Sequence, residues 1–127
     1  MNRRTTLLGA LAVTLVAPIA ASAAPVIQTG QTSAGTVLTD AHNMTLYVFD
    51  KDSAAVSNCN GGCAKKWPPL KASRSARPKD KFGIIIRADG SRQWAYKGQP
   101  LYTWFKDQAA GDTTGNGVKG VWHLARP

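Results

Sequence analysis

An internal repeat is the feature that most constrains how this chain can fold. When the sequence is shifted by 55 positions, residues 46–70 align with residues 101–125 without a gap, and eight of the 25 aligned positions are identical. The identical pairs are Leu46 with Leu101, Tyr47 with Tyr102, Lys51 with Lys106, Asp52 with Asp107, Ala54 with Ala109, Ala55 with Ala110, Gly62 with Gly117 and Trp67 with Trp122. A repeat of this kind indicates one supersecondary unit that occurs twice, so we expect two similar halves.

Each repeat unit begins with a short run that favours a β-strand, at residues 46–49 and 101–105. Alternation in these runs places a tyrosine and a second aromatic side chain on one face. Between the units, residues 83–87 and 92–96 flank an Asp89-Gly90 turn, which is a strong hairpin signal. The sequence therefore predicts a small, mainly β, antiparallel domain of two repeats of about 55 residues, with short helical turns.

The start of the chain has the pattern of an export signal. Arg3 and Arg4 precede an apolar run over residues 7–20, and Ala21-Ser22-Ala23 fits a signal-peptidase site. We expect cleavage near Ala23 and a periplasmic or secreted mature protein. No later apolar stretch of the sequence is long enough for a transmembrane helix.

The remaining boundaries follow from the repeat and from local composition. Residues 1–23 are the predicted signal peptide, and the polar, small residues 24–35 are predicted to be a flexible N-terminal tail. Residues 36–127 form the predicted single domain. Within it, repeat 1 covers about 36–70, a basic linker covers 71–82, and repeat 2 covers about 83–127.

The repeats share the motif Tyr-x-[Phe/Trp/Tyr]-x-x-Asp, at residues 47–52 and 102–107, and the stretches that lead to Trp67 and Trp122 also match. On these residues the chain resembles a bacterial secreted-repeat family of unknown function, described as lipoproteins with this motif. The resemblance implies an exported, duplicated protein and implies no activity. Because no Cys lies at the cleavage point, we do not expect lipid attachment there.

The two cysteines of the chain, Cys59 and Cys63, are four positions apart. An even pair this close in an exported protein favours a structural disulfide. Thr114 and Val118 occupy the aligned positions of the second repeat, so the fold should not depend on the bond. A redox-active pair and a metal site remain the alternatives.

The sequence offers weak candidates for a soft metal such as copper. They are His42, Met44, His123 and the two cysteines, which lack the usual spacing of metal ligands. The Cys-x-x-Cys-His pattern of c-type haem attachment does not occur in the sequence. We predict no cofactor.

Asp52 and Asp107 recur at the same place in both repeats, directly after a predicted strand. Aspartate at such a position commonly accepts hydrogen bonds from backbone N–H groups in the following turn. We favour this role for both residues. A pair of catalytic carboxylates in one cleft is the alternative.

Aromatic side chains are the other recurring feature of the two units. The set comprises Tyr47, Phe49, Trp67, Tyr102, Trp104 and Trp122. A small β domain with few leucines needs large rings in its interior, so we expect these residues to form the core. An open groove that stacks a sugar, a base or a porphyrin is the alternative.

The positive charge of the chain is concentrated between the repeats. The formal net charge is +9, and seven of the 16 Lys and Arg residues fall within 65–81, beside one acid, Asp80. These residues, called here the basic strip, are Lys65, Lys66, Lys71, Arg74, Arg77, Lys79 and Lys81. A strip of this kind suits an anionic component of the cell envelope. The export signal argues against nucleic acid as the partner.

No complete catalytic set occurs in the sequence, so the leading hypothesis is a monomeric, non-enzymatic module that binds or associates with the cell envelope. The second hypothesis is a periplasmic redox or metal accessory protein that handles copper or haem. The two differ in their dependence on the basic strip and on the cysteine and histidine side chains.

Overall fold

The computed structural model describes residues 27–127 together with Gly9 and Ala12. Apart from those two positions, the predicted signal peptide and its cleavage site near Ala23 lie outside the described residues. The elements are β1 (Gln28–Thr32), β2 (Gly35–Thr39), β3 (Tyr47–Phe49), α1 (Gly62–Lys66), β4 (Phe82–Ile86), β5 (Arg92–Tyr96), β6 (Gln99–Pro100), a 3-10 turn (Val118–Gly120) and β7 (Trp122–Leu124). The prediction of a mainly β, antiparallel fold with short helical turns is confirmed.

Three small antiparallel sheets make up the described part of the chain. β1 pairs with β2, β3 pairs with β7, and β4, β5 and β6 form the third sheet in that order. Because β3 and β7 come from opposite ends of the domain, their pairing joins the two repeats.

Part of the stretch predicted to be a flexible tail, residues 24–35, forms a strand instead, and residues 24–26 lie outside the described residues. Residues 28–32 are a strand, β1, in which Gln28 lies opposite Thr39 and Thr32 lies opposite Gly35. Gly35 has a φ of 96°, which a tight turn at this point requires and which glycine adopts without steric cost. Polar composition hid the strand, since only one of its faces packs on the protein.

The hairpin predicted around Asp89-Gly90 is confirmed as β4 and β5. Ile84 lies opposite Trp94, and the Arg87 N–H donates to the Ser91 carbonyl at 2.8 Å to close the turn. The Ser91 hydroxyl and N–H also donate to the Asp89 carboxylate. These hydrogen bonds hold the pKa of Asp89 below its usual value.

Residues 101–105 do not form the continuous strand that their alternation predicts. The Leu101 N–H donates to the Trp94 carbonyl, the Tyr102 N–H to the Tyr47 carbonyl and the Thr103 N–H to the Pro68 carbonyl. The backbone of this segment is therefore shared among three neighbouring segments, which local alternation cannot reveal.

The two repeats exchange their final segments. The Leu38 N–H donates to the Ala125 carbonyl at 2.8 Å, and the Ala125 N–H donates to the Leu46 carbonyl at 2.9 Å. The matching bonds of the other half run from the Trp94 N–H to the Leu70 carbonyl at 2.8 Å and from the Leu70 N–H to the Leu101 carbonyl at 2.9 Å. Each half therefore contains the hairpin and central segment of one repeat and the final segment of the other.

Two hydrophobic clusters fill the interior. The larger is made mainly of aromatic rings and contains Val37, Tyr47, Cys59, Trp67, Tyr102, Trp104, Trp122 and Leu124. The smaller contains Leu38, Leu46, Trp94, Tyr96, Leu101 and Ala125. Within the described residues, no helix has the length and apolar character needed to cross a bilayer.

Candidate functional site

Tyr47 and Tyr102 meet at the centre of the domain. Each is fully buried, and their backbones exchange two hydrogen bonds, with N···O distances of 2.8 and 3.0 Å. The Tyr102 phenol donates to the Asp52 carboxylate at 2.6 Å, and the Tyr47 phenol donates to the Asp107 carboxylate at 2.6 Å. The tyrosine of each repeat motif therefore binds the aspartate of the other repeat, and we call these two contacts the tyrosine–aspartate pairs.

Both aspartates also accept a backbone hydrogen bond from the turn that follows them, as the sequence led us to expect. Asp52 accepts from the Asn58 N–H at 2.7 Å, and Asp107 accepts from the Thr114 N–H at 3.0 Å. The contact with a tyrosine of the other repeat was missed, although the recurrence of tyrosine and aspartate in both motifs was a signal for it.

The tyrosine–aspartate pairs perturb ionisation within the core. Burial, followed by the hydrogen bond to a carboxylate, raises the pKa of Tyr47 and of Tyr102 far above the usual value for a phenol. Burial also raises the pKa of Asp52, although the hydrogen bonds from Tyr102 and Asn58 oppose this effect. Both phenols therefore stay protonated.

A buried polar chain extends from the first of these pairs. The Arg87 guanidinium, 5% exposed, donates to the Ser57 hydroxyl at 2.9 Å, and that hydroxyl lies 2.6 Å from the Tyr102 phenol. Arginine can only donate, and Tyr102 gives its proton to Asp52, so Ser57 must donate to Tyr102. The order of donors is therefore fixed from Arg87 through Ser57 and Tyr102 to Asp52.

Arg87 also holds the loop that carries the disulfide. Its guanidinium donates to the Cys59 carbonyl at 2.7 Å and to the Gln93 side-chain oxygen at 2.7 Å. Cys59 and Cys63 are joined by a disulfide whose Cα atoms are 5.2 Å apart, immediately at the start of α1. Sequence reasoning missed Arg87, because a lone arginine after an apolar strand gives no sign that its partners are hydroxyl and carbonyl groups.

The recurring aromatic rings are packed inside the domain. Phe49 stacks on Trp122 at 4.1 Å between ring centroids, Trp122 stacks on Trp67 at 3.7 Å, and Trp67 contacts Trp104 at 3.9 Å. We call these four rings the aromatic column. Its three tryptophans are at most 9% exposed, which supports the core interpretation over an open stacking groove.

The candidate metal ligands do not come together as a site. The His123 imidazole lies 2.7 Å from the Asp50 carboxylate, in a pair that is about half exposed. His42 is exposed and Met44 is half-buried. Over residues 27–127, no three side chains of His, Cys, Asp or Glu are arranged to hold a metal ion together.

A polar cavity of about 290 Å³ lies beside the first repeat motif. Phe49, Asp50, Asp52 and Lys97 are among its lining residues, and Asp107 is not. Both oxygens of Asp52 accept hydrogen bonds within the protein, as do both oxygens of Asp107. The arrangement gives these two carboxylates structural partners and does not bring them together in this cavity.

All seven side chains of the basic strip are exposed. Within residues 27–127, no carboxylate lies close enough to a side chain of the strip to form an ion pair with it. The Arg92 guanidinium, on β5, donates to the carbonyls of Ser73 and Ala76 and so fixes the loop beneath Arg74. The strip therefore lies on a segment that is tied to the sheet.

The fold and these contacts define a duplicated β protein in which two repeats complete each other's tyrosine motif. A family model for a secreted repeat of unknown function matches residues 28–71 and again residues 83–126. The chain belongs to this family of secreted repeats. Neither a curated protein nor a solved structure matches it significantly.

Proposed function

We propose that this secreted repeat protein is a non-enzymatic binding module that attaches to anionic components of the cell envelope through the basic strip. The expected partner is a surface that carries phosphate or carboxylate groups. We infer that the protein acts as a monomer released by cleavage near Ala23.

The observation that carries the proposal is the set of seven exposed, unneutralised cations within 17 residues, from Lys65 to Lys81. Near an anionic membrane surface, each Lys or Arg contributes about 1 kcal/mol to binding at moderate salt. Pro68, Pro69 and Pro78 stiffen the segment, and Arg92 ties its loop to β5. A strip fixed in this way loses less conformational entropy on binding than a free tail would.

Vesicle flotation tests the proposal directly. The mature protein is mixed with vesicles of phosphatidylcholine alone or of phosphatidylcholine with phosphatidylglycerol. We expect binding only to the anionic vesicles, and release as salt is raised, because salt screens exposed charges.

A matched pair of variants localises the interaction. Arg74→Glu with Arg77→Glu reverses two charges of the strip, whereas Lys51→Glu with Lys106→Glu reverses two exposed charges outside it. We expect the first variant to lose vesicle binding and the second to keep most of it. Equal losses in both would mean that net charge alone is responsible, and absence of binding by the unaltered protein would reject this function.

The redox or metal accessory hypothesis is the second candidate, and the incompletely buried Cys63 of the disulfide is the observation that favours it. Metal analysis of protein purified from the periplasm and thiol titration under mild reductant address it. Stoichiometric copper or haem iron, or rapid reduction of the bond in the folded protein, would favour this candidate over envelope binding.

A further inference from the structure

We propose that the aromatic column and the two tyrosine–aspartate pairs form a one-electron relay, which carries an oxidising equivalent from the surface of the domain to a buried tyrosine. This activity is separate from binding through the basic strip. Two observations support it. The aromatic rings form a continuous series of contacts, and the tyrosine phenols at its ends donate hydrogen bonds to carboxylates that can accept their protons.

The rings of the relay are in direct contact. Tyr47 packs its edge against Trp67 with ring centroids 5.4 Å apart, and Tyr102 packs its edge against Trp122 at 5.2 Å. Trp67 and Trp122 stack at 3.7 Å with an angle of 3° between their planes. An electron can therefore pass from either tyrosine into the tryptophan stack without crossing a gap between side chains.

Phe49, at one end of the column, is half-buried, and among the three tryptophans Trp104, at the other end, lies nearest to solvent. Trp104 is 9% exposed, compared with 4% for Trp67 and 3% for Trp122. Phe105, which is 51% exposed, packs its ring against Trp104 at 4.9 Å. A one-electron oxidant that reaches the surface at this point is closest to Trp104.

The aspartates provide the proton acceptors that tyrosine oxidation needs. A phenol that loses an electron becomes a strong acid and must lose its proton at once. Asp107 lies 2.6 Å from the Tyr47 oxygen, and Asp52 lies 2.6 Å from the Tyr102 oxygen. Such short, charge-assisted hydrogen bonds let the proton move along an existing contact.

The oxidant in this reaction is an organic peroxyl radical, a species formed in oxidised lipid. The peroxyl radical takes one electron from Trp104 and a proton from a solvent water, and becomes a hydroperoxide while a hydroxide ion is left in the solvent. Trp67 passes an electron to Trp104, and Tyr47 supplies that electron through its ring. The phenolic O–H bond breaks as its proton forms a new O–H bond on Asp107, which leaves a neutral tyrosyl radical. In the other branch, the electron passes from Tyr102 through Trp122 and Trp67 to Trp104, and the Tyr102 proton moves to Asp52.

The chain contains its own control, because Tyr96 is the third of its three tyrosines. Tyr96 belongs to the smaller hydrophobic cluster and packs on Phe82 at 5.0 Å. In the part of the chain that the structure describes, its phenol has no carboxylate partner. Tyr96 is 8% exposed, compared with 0% for Tyr47 and Tyr102, so all three rings are buried and the carboxylate partner is the main difference between them.

Flash photolysis with tris(bipyridine)ruthenium and persulfate tests the relay, with the tyrosyl radical followed by its absorption and by electron paramagnetic resonance. We expect the unaltered protein and Tyr96→Phe to give the same tyrosyl yield. The double variant Tyr47→Phe, Tyr102→Phe should lose the tyrosyl signal and retain a tryptophan radical. The double variant Asp52→Asn, Asp107→Asn should also lose it, since both tyrosines remain but their proton acceptors are gone.

Loss of the tyrosyl signal in Tyr96→Phe would overturn the proposal, as would a normal yield in the Tyr47→Phe, Tyr102→Phe protein. A normal yield in the double aspartate variant would overturn the assignment of the proton acceptors. If the core variants do not fold, the Tyr96→Phe protein, which alters the other cluster, decides alone: its signal must stay for the relay to stand.

Discussion

The two tyrosine–aspartate pairs share one hydrogen bond, from phenol to carboxylate, but differ in the group that donates to the phenol oxygen. Around Tyr102, the phenol oxygen receives its hydrogen bond from Ser57, which Arg87 in turn supports. Around Tyr47, the phenol oxygen receives it from the Gly115 backbone N–H at 3.2 Å. The comparison shows that the motif fixes the tyrosine and the aspartate, and that each loop is free to supply the remaining donor.

The loops differ in their covalent support as well. The first is closed by the disulfide, whereas the second carries Thr114, whose hydroxyl donates to Asp107 at 2.6 Å. The second loop also approaches the rings so closely that only glycine fits at position 115. The first half therefore relies on Ser57, Arg87 and a disulfide, whereas the second relies on the Thr114 hydroxyl and the Gly115 backbone.

The largest expected effect comes from filling the close approach in the second loop. In Gly115→Ala, the new Cβ would lie 2.9 Å from atoms of Trp67 and Tyr47. We expect a loss of about 3 kcal/mol in the free energy of unfolding, as for an overpacked core. Urea unfolding measures it, with Gly62→Ala as the control because its Cβ would have no neighbour within 4 Å. Equal effects in both variants would contradict the asymmetry.

The second effect removes the side-chain support of the first loop. Arg87→Met removes the guanidinium that donates to the Ser57 hydroxyl, the Gln93 side chain and the Cys59 carbonyl. We expect a loss of about 2 kcal/mol, the usual cost of leaving buried polar groups unpaired. Thermal unfolding beside the exposed control Arg77→Met checks this. No change in stability would mean that the loop does not need Arg87.

The third test copies the second loop into the first. Cys59→Thr with Cys63→Val installs the residues of the aligned positions and removes the disulfide. We expect a folded protein that has lost about 1–2 kcal/mol, because the bond closes only a short loop. Denaturant unfolding of this variant and of the reduced parent should agree, and a variant that does not fold would show that the first half depends on its covalent bond.

The smallest effect is a change in pH dependence. Because the pKa of Asp52 is raised in the folded protein, this carboxyl favours folding most when protonated, and its contribution is lost as pH rises through the raised pKa. The Asp52→Asn variant has no carboxyl at this position, so it does not lose stability there as pH rises. We therefore expect the stability of the variant relative to the parent to be greater near neutral pH than in acid, in urea titrations at both. The opposite trend would contradict the pKa direction.

Asp112 affects the pH dependence of stability in the direction opposite to Asp52. Hydrogen bonds from the backbone N–H groups of Gln108 and Ala109 lower its pKa, so its contribution is present above its usual value and is lost as pH falls through the lowered one. The acid limb of the stability curve should remain in Asp52→Asn for this reason.

The repeat predicts much of this fold, and the reasons for the rest are physical. Shifting the chain by 55 residues finds the two units and their shared Tyr47 and Tyr102, and turn chemistry finds the hairpin at Asp89. The sequence repeat does not show whether the final segment of a repeat pairs with its own repeat or with the other one, because the two repeats contain similar pairing segments. The exchange at Leu70 and Ala125 therefore emerges only from the structure.

The central contacts show the same limit. A turn-capping role for Asp107 could be predicted, because its partner is a backbone group a few residues away. Its contact with Tyr47, 60 residues away, depends on the exchanged packing of the halves. The role of Gly115 depends on rings that come from both repeats.

Splitting the chain in the basic linker tests the central claim that the repeats complete each other. Residues 27–77 and 78–127 are prepared as separate fragments, and near-ultraviolet circular dichroism reports the packing of Trp67 against Trp122. We expect neither fragment alone to give the spectrum of the intact protein, and an equimolar mixture to restore it. A native spectrum from either fragment by itself would contradict the exchange of final segments between the repeats.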